Sequence, residues 1–125
     1  MAVPRSQSAR FIASIVATTI MLFSLPSQAQ QERGEALFLA NCAECHQSNG
    51  RGIANVYPAL DGSEVVRGSG ADVAFVLIIG RGEMPSFKGA LDETEMAALI
   101  NYVRNAWSNS GEPISASEVA ALLEL

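Results

Sequence analysis

Five consecutive residues, Cys42-Ala43-Glu44-Cys45-His46, hold both cysteines and the only histidine of a 125-residue chain. Two thiols two residues apart, followed at once by an imidazole, form the C-x-x-C-H signature that attaches a c-type haem. The thiols add across the two porphyrin vinyl groups as thioethers, and the histidine lies beneath the iron as its proximal ligand. One helical turn can present both sulfurs to one porphyrin edge and the imidazole to its face.

Other chemistries of a Cys pair fit less well. A structural zinc site takes four protein ligands; this cluster offers three, and no further Cys or His exists to complete it. A thioredoxin-like dithiol sits near a βαβ pattern, and the sequence has none. A disulfide across two residues closes too short a loop to stabilise much.

The elements that must position this cluster follow a targeting segment. Arg5 and Arg10 precede an apolar run from Phe11 to Leu25, and Pro26-Ser27-Gln28-Ala29 ends in small residues. This reads as a secretory signal peptide over residues 1–29, cut after Ala29. The run is shorter than the about 20 residues of a spanning helix, so no stable membrane insertion is expected after cleavage. Export also fits the thiols, which must be delivered reduced to haem outside the cytoplasm. What remains is one small domain whose core is marginal without a staple, a role that a covalently held haem fills. All 13 acidic residues lie beyond the signal segment, whereas two of the eight basic ones lie within it, so the mature chain is more acidic than the net charge of −5 for the whole. Such a charge argues against nucleic acid and anionic lipid, and toward a partner with a basic patch.

Gln31 to Asn41 reads as an opening helix that runs into the cysteine cluster. Residues 47–62 read as loop, with Ser63 to Arg67 a short helical turn. Ala71 to Ile79 is apolar and rich in β-branched residues, a buried strand or a helix by its pattern alone. A second loop surrounds Met84-Pro85. Asp92 to Trp107 is the clearest helix, with a capping-box start at Asp92 and Glu95 and an apolar face of Met96, Leu99, Ile100, Val103 and Trp107. Ser108 to Pro113 is a polar linker, and Ser115 with Glu118 opens a short last helix. The chain divides into a signal peptide (1–29), one domain (30–112) and a short helical extension (113–125), which either docks a partner or packs on the domain.

Haem iron has two axial positions, and His46 fills one. With no second histidine, the common alternative is methionine, whose thioether raises the potential. Met1 and Met21 leave with the signal peptide. Met96 falls on a helix face, where methionine is usually core filler. Met84 lies in a loop between Gly82 and Pro85 and is the expected sixth ligand. Arg51, Arg67, Arg81 and Trp107 have the chemistry to meet haem propionates, but each reads equally well as an ordinary surface residue.

Over nearly all of residues 31–107 the chain resembles small class I cytochromes c. That family's opening helix carries a glycine eight residues before the first cysteine and an aromatic four before it, matched by Gly34 and Phe38. The resemblance implies that they pack against Leu99 and Tyr102 of the terminal helix. A P-x-L element is matched by Pro58-Ala59-Leu60, implying that the Pro58 carbonyl accepts from His46 Nδ1 and that Leu60 packs on the haem. A distal G-x-M-P-x-F element is matched by Gly82-Glu83-Met84-Pro85-Ser86-Phe87. The implied fold is all-α, with N- and C-terminal helices packed around one covalently bound haem c, its iron held by His46 and Met84, and residues 71–79 helical. Residues 57–63 and 102–107 look most like cytochrome c subunits of bacterial periplasmic dehydrogenases and respiratory oxidases.

The expected function is a periplasmic electron-transfer protein, not an enzyme. Its haem iron would cycle between Fe(II) and Fe(III), exchanging electrons with redox partners such as a periplasmic dehydrogenase or a terminal oxidase. One alternative is a cytochrome subunit fixed in a larger dehydrogenase or oxidase. Another is a haem enzyme or gas sensor, which needs a distal acid–base residue; Glu83 and Lys88 are the loop candidates, and both read as solvated.

Overall fold

The computed structural model describes residues 1–2 and 27–125. The expected basic region and apolar run of the signal peptide therefore lie outside the described residues. The rest forms six helices: α1 (Gln28–Asn41), α2 (Ala43–His46), α3 (Glu64–Arg67), α4 (Gly70–Ile79), α5 (Glu93–Asn105) and α6 (Ala116–Leu123). No strand occurs among the described residues, in agreement with the all-α expectation. None of these helices is long and apolar enough to cross a membrane.

The frame is the crossing of α1 and α5. Helix α1 has neither a side-chain cap nor an acidic first turn, so its stability rests on packing, as for most protein helices. Gly34 and Phe38 are its buried residues. A Cβ added at Gly34 would lie 2.3 Å from the Ala98 carbonyl oxygen and 2.7 Å from Tyr102 Cβ. Only the missing side chain lets the two helices approach so closely. One turn on, the Phe38 ring packs 5.6 Å from Tyr102 and 5.3 Å from Trp107, edge-on to the latter.

Helix α5 starts where its sequence marks it. The Asp92 carboxylate accepts from Glu95 N–H at 2.8 Å, and Glu95 accepts from Asp92 N–H at 3.2 Å, a reciprocal cap. Its end comes earlier than Trp107. The helix stops at Asn105, Ala106 is extended, and Trp107 turns to φ 55°. That turn directs the indole back onto Phe38 and lets its Nε1–H donate to the Ser48 carbonyl.

The apolar run after Ser69 is a helix. Ser69 and Asp72 cap it reciprocally, and Gly70, Val73, Ala74 and Leu77 form its buried face. That i, i+3, i+4, i+7 spacing is helical, and it overrides the β preference of the branched residues.

Past α5 the chain is tied down by polar side chains. Asn101 receives the Ile114 N–H at 2.8 Å and donates to the Ile114 carbonyl at 2.9 Å. The buried Arg104 guanidinium donates to the carbonyls of Val66 (3.1 Å), Gly68 (2.8 Å) and Glu112. Asn109 links the Leu60 and Val103 carbonyls to Gly62 N–H. Beyond them, Ile114 and Val119 of the C-terminal segment are buried in the common core.

Candidate haem site

Between α1, α4 and α5 lies a cavity of about 450 Å³. Cys42, Cys45 and His46 line one side. Val73, Val76 and Leu77 of α4 form one apolar wall, and Leu99 and Val103 of α5 another. Pro58 and Leu60 come from the loop after α2, and Met84, Pro85 and Phe87 from the loop after α4.

Local structure places the cysteine cluster. Cys42 ends α1, its N–H donating to the Phe38 carbonyl at 2.8 Å, and α2 supplies the single turn that carries Cys45 and His46. Both thiols are free rather than joined. Burial first, and the neighbouring Cys45 second, push the Cys42 thiol up to about 11, so it is a neutral thiol near pH 7. The chain reverses at Gln47 (φ 64°).

The His46 ring is buried, and its Nδ1 lies 2.9 Å from the Pro58 carbonyl oxygen. A carbonyl can only accept, so Nδ1 carries a proton, and in the neutral ring Nε2 is then the nitrogen with the lone pair. The Pro58 loop is itself pinned: the Gly50 carbonyl accepts from Leu60 N–H (2.7 Å) and Asp61 N–H (2.9 Å), and Gly52 N–H donates to the His46 carbonyl.

Met84 sits in a tight turn in which Arg81 and Met84 exchange backbone hydrogen bonds, each of 3.0 Å. Gly80, at φ 79°, makes that turn possible, since a Cβ there would meet the Met84 carbonyl oxygen at 2.7 Å. Met96, by contrast, is wholly buried in the helical core and does not line the cavity. The structure thus brings Cys42, Cys45, His46 and Met84 to one space and leaves Met96 out.

Of the four propionate candidates, Arg81 lines the cavity and Arg51 does not. Arg67 is engaged by Ser108 and Asn109, and Trp107 by Ser48. The α4 wall is a part of the site that the sequence reading does not assign, although the resemblance makes that run a helix. Tyr57 is another. It lines the cavity, and its phenol titrates above the ordinary value, chiefly through the neighbouring Cys45.

The donor set fits a covalently held macrocycle better than a bare ion. Among the described residues no three His, Cys, Asp or Glu side chains converge to hold a metal. Instead the cavity has two thiols at one edge, an imidazole with a free Nε2, a thioether and apolar walls.

Comparison with known proteins agrees. Residues 29–103 match the family described as cytochrome c oxidase, cbb3-type, subunit III. The chain is 31% identical to a cytochrome c-552 of Thermus thermophilus, over 83% of this chain and 84% of that one. It is 36% identical to cytochrome c6 of Microcystis aeruginosa, over 56% of this chain and 89% of the relative. It is also 32% identical to the cytochrome c subunit of alcohol dehydrogenase (quinone) from Gluconobacter oxydans, over 74% of this chain. The match covers only 22% of that longer relative.

Proposed function

This chain belongs to the cytochrome c family, and on that premise we propose that it is a periplasmic electron carrier whose haem iron is held between His46 and Met84. Electron transfer through covalently bound haem c is the chemistry of the family. Bound here, the group supplies one-electron cycling between Fe(II) and Fe(III).

The chain's own residues do the rest. Cys42 and Cys45 hold the porphyrin edge as thioethers. His46 offers Nε2, because its Nδ1–H is committed to Pro58; such a bond fixes ring orientation and raises ligand basicity. Met84, which lines the same cavity, would supply the second ligand, and a thioether ligand raises the potential. The apolar walls of α4 and α5 exclude water, a further influence on the potential. With His46 and Met84 both holding the iron, no open coordination site would be left for catalysis, which is the basis for reading the protein as a carrier and not an enzyme. Residues 1–29 direct export and are removed, residues 30–112 hold the haem, and 113–125 add the last helix.

The observation that carries this reading is the single cavity lined by both thiols, His46 and Met84. Its partners are redox proteins such as a periplasmic dehydrogenase or a terminal oxidase. Around an acidic carrier they would present a basic patch. The likeness to an alcohol dehydrogenase cytochrome subunit supports a second arrangement, the same chemistry fixed within a larger complex. Size-exclusion of native extract separates the two: a free carrier elutes near its own mass, a subunit with its complex.

The test of the site is the absorption spectrum of the exported, purified protein, reduced, with and without carbon monoxide. A reduced c-type spectrum that ignores carbon monoxide is expected. A prompt shift means an open or labile iron and overturns the His46/Met84 assignment.

A further inference from the structure

The loop carrying Met84 is fastened to α4 at two points. Ser86 Oγ donates to the Ile78 carbonyl at 2.6 Å, and Phe87 N–H to the Leu77 carbonyl at 2.7 Å. A third polar contact reaches another element. Lys88 Nζ donates to the Leu123 carbonyl oxygen, 2.8 Å away, in the last turn of α6.

That carbonyl lies at the negative end of the α6 dipole, where a cation is favourable. Helix α6 has no basic residue in its own last turn, and its C-cap is Glu124. Lys88 supplies the cation that α6 lacks. The helix is a firm anchor: Ser115 and Glu118 cap its start reciprocally, Val119 is wholly buried, and Ile114 is clamped by Asn101. Helix α6 also lies outside the stretch of residues 29–103 that matches the family. It touches the Met84 loop through Lys88.

We infer that Lys88 and the C-terminal end of α6 form a latch on the Met84 loop, with Lys88 a positioning residue that sets how often Met84 leaves the iron. The inference rests on Met84 being the sixth ligand. A loop ligand departs by local opening, whose free energy is set by the few contacts of that loop rather than by global stability. A contact that joins only the loop to a packed helix therefore biases opening more than unfolding.

The experiment uses the exported holoprotein, with carbon monoxide as the probe of the reduced iron. Two readouts are followed: the rate of carbon monoxide binding, and amide hydrogen exchange at Met84, Phe87 and Lys88 against Met96 to Ile100 of α5. Lys88→Ala is expected to bind carbon monoxide about two- to fivefold faster, the scale of one exposed cation-to-dipole contact. The loop amides should exchange faster by a similar factor while the α5 amides hold, and Lys88→Arg should restore both. A chain ending at Ala121, which lacks the Leu123 carbonyl, should open faster too, and Lys88→Ala should then add nothing, the non-additivity of a shared contact.

Wild-type rates in Lys88→Ala, or acceleration shared equally by the α5 amides, would overturn the latch. Met84→Ala in the same assay keeps the two ideas apart. If it binds carbon monoxide no faster than wild type, the ligand assignment fails. If it binds freely while Lys88→Ala behaves as wild type, only the latch fails.

Discussion

His46 Nδ1 donates to the Pro58 carbonyl oxygen across 2.9 Å, and the segment that brings Pro58 there begins one residue after the histidine itself. The ring is oriented by a loop that folds back on Gly50. Replacing His46 with alanine removes the proposed proximal ligand but leaves both thiols. The expected product is a low yield of haem protein with an altered, unstable spectrum. Normal yield of a low-spin species would remove His46 from the iron.

The two methionines beyond the signal segment divide by position, one on the cavity and one in the core. Met84→Ala should open the iron to exogenous ligands and lower its potential, read by redox titration and by the ferric spectrum. An unchanged ferric spectrum would take Met84 off the iron. Met96→Leu should keep the spectrum and cost less than about 1.5 kcal/mol in denaturant unfolding, as near-isosteric core exchanges do. Loss of the thioether-ligated spectrum in that variant would reverse the assignment.

Gly34→Ala tests the helix crossing. The added methyl would meet the Ala98 carbonyl, a backbone atom that cannot turn aside. Overpacking of this kind costs about 1–3 kcal/mol, so the denaturant midpoint should fall. A midpoint equal to wild type would mean that α1 and α5 meet elsewhere.

Acid should weaken the fold through three carboxylates. The Asp61 carboxyl is held below its usual range by the Ser108 hydroxyl and then the Ser108 N–H. Asp72 is lowered in the same way by Ser69, and Glu118 by the Ser115 N–H and then its hydroxyl. Each folded value lies below the unfolded one, so the unfolded chain binds more protons in acid. The stabilisation is complete above the ordinary carboxylate range and is lost as pH falls through the lowered folded values. Thermal midpoints should hold from pH 7 to about 5 and decline below about pH 4. A midpoint that rises on acidification contradicts this account.

The haem motif was legible in the sequence because thioether chemistry and proximal ligation need contiguous residues. Gly34, Phe38, Leu99 and Tyr102 were legible as a set only through the resemblance to class I cytochromes c, which carry those residue types at those spacings. Ala71 to Ile79 was ambiguous by its own pattern, because its β-branched residues suit a strand as well as a buried helix; the resemblance implied a helix, and the Ser69–Asp72 cap and the 70, 73, 74, 77 face agree. The early end of α5 was hidden, since neither Ala106 nor Trp107 marks a stop. Contacts such as Lys88 to Leu123 and Arg104 to Val66 end on backbone carbonyls. Any residue type offers a carbonyl, so no sequence pattern announces them.

The approach of Gly34 to Tyr102 has a kinetic meaning. These residues bound a loop of the chain, and that loop contains every residue lining the cavity except Val103. Bringing Gly34 to Tyr102 closes that loop, and its closure entropy must be met before the contact rewards it. When α1 parts from α5, the proximal side carried at the end of α1 loses its seat, whereas the Met84 loop keeps its own ties to α4 and α6.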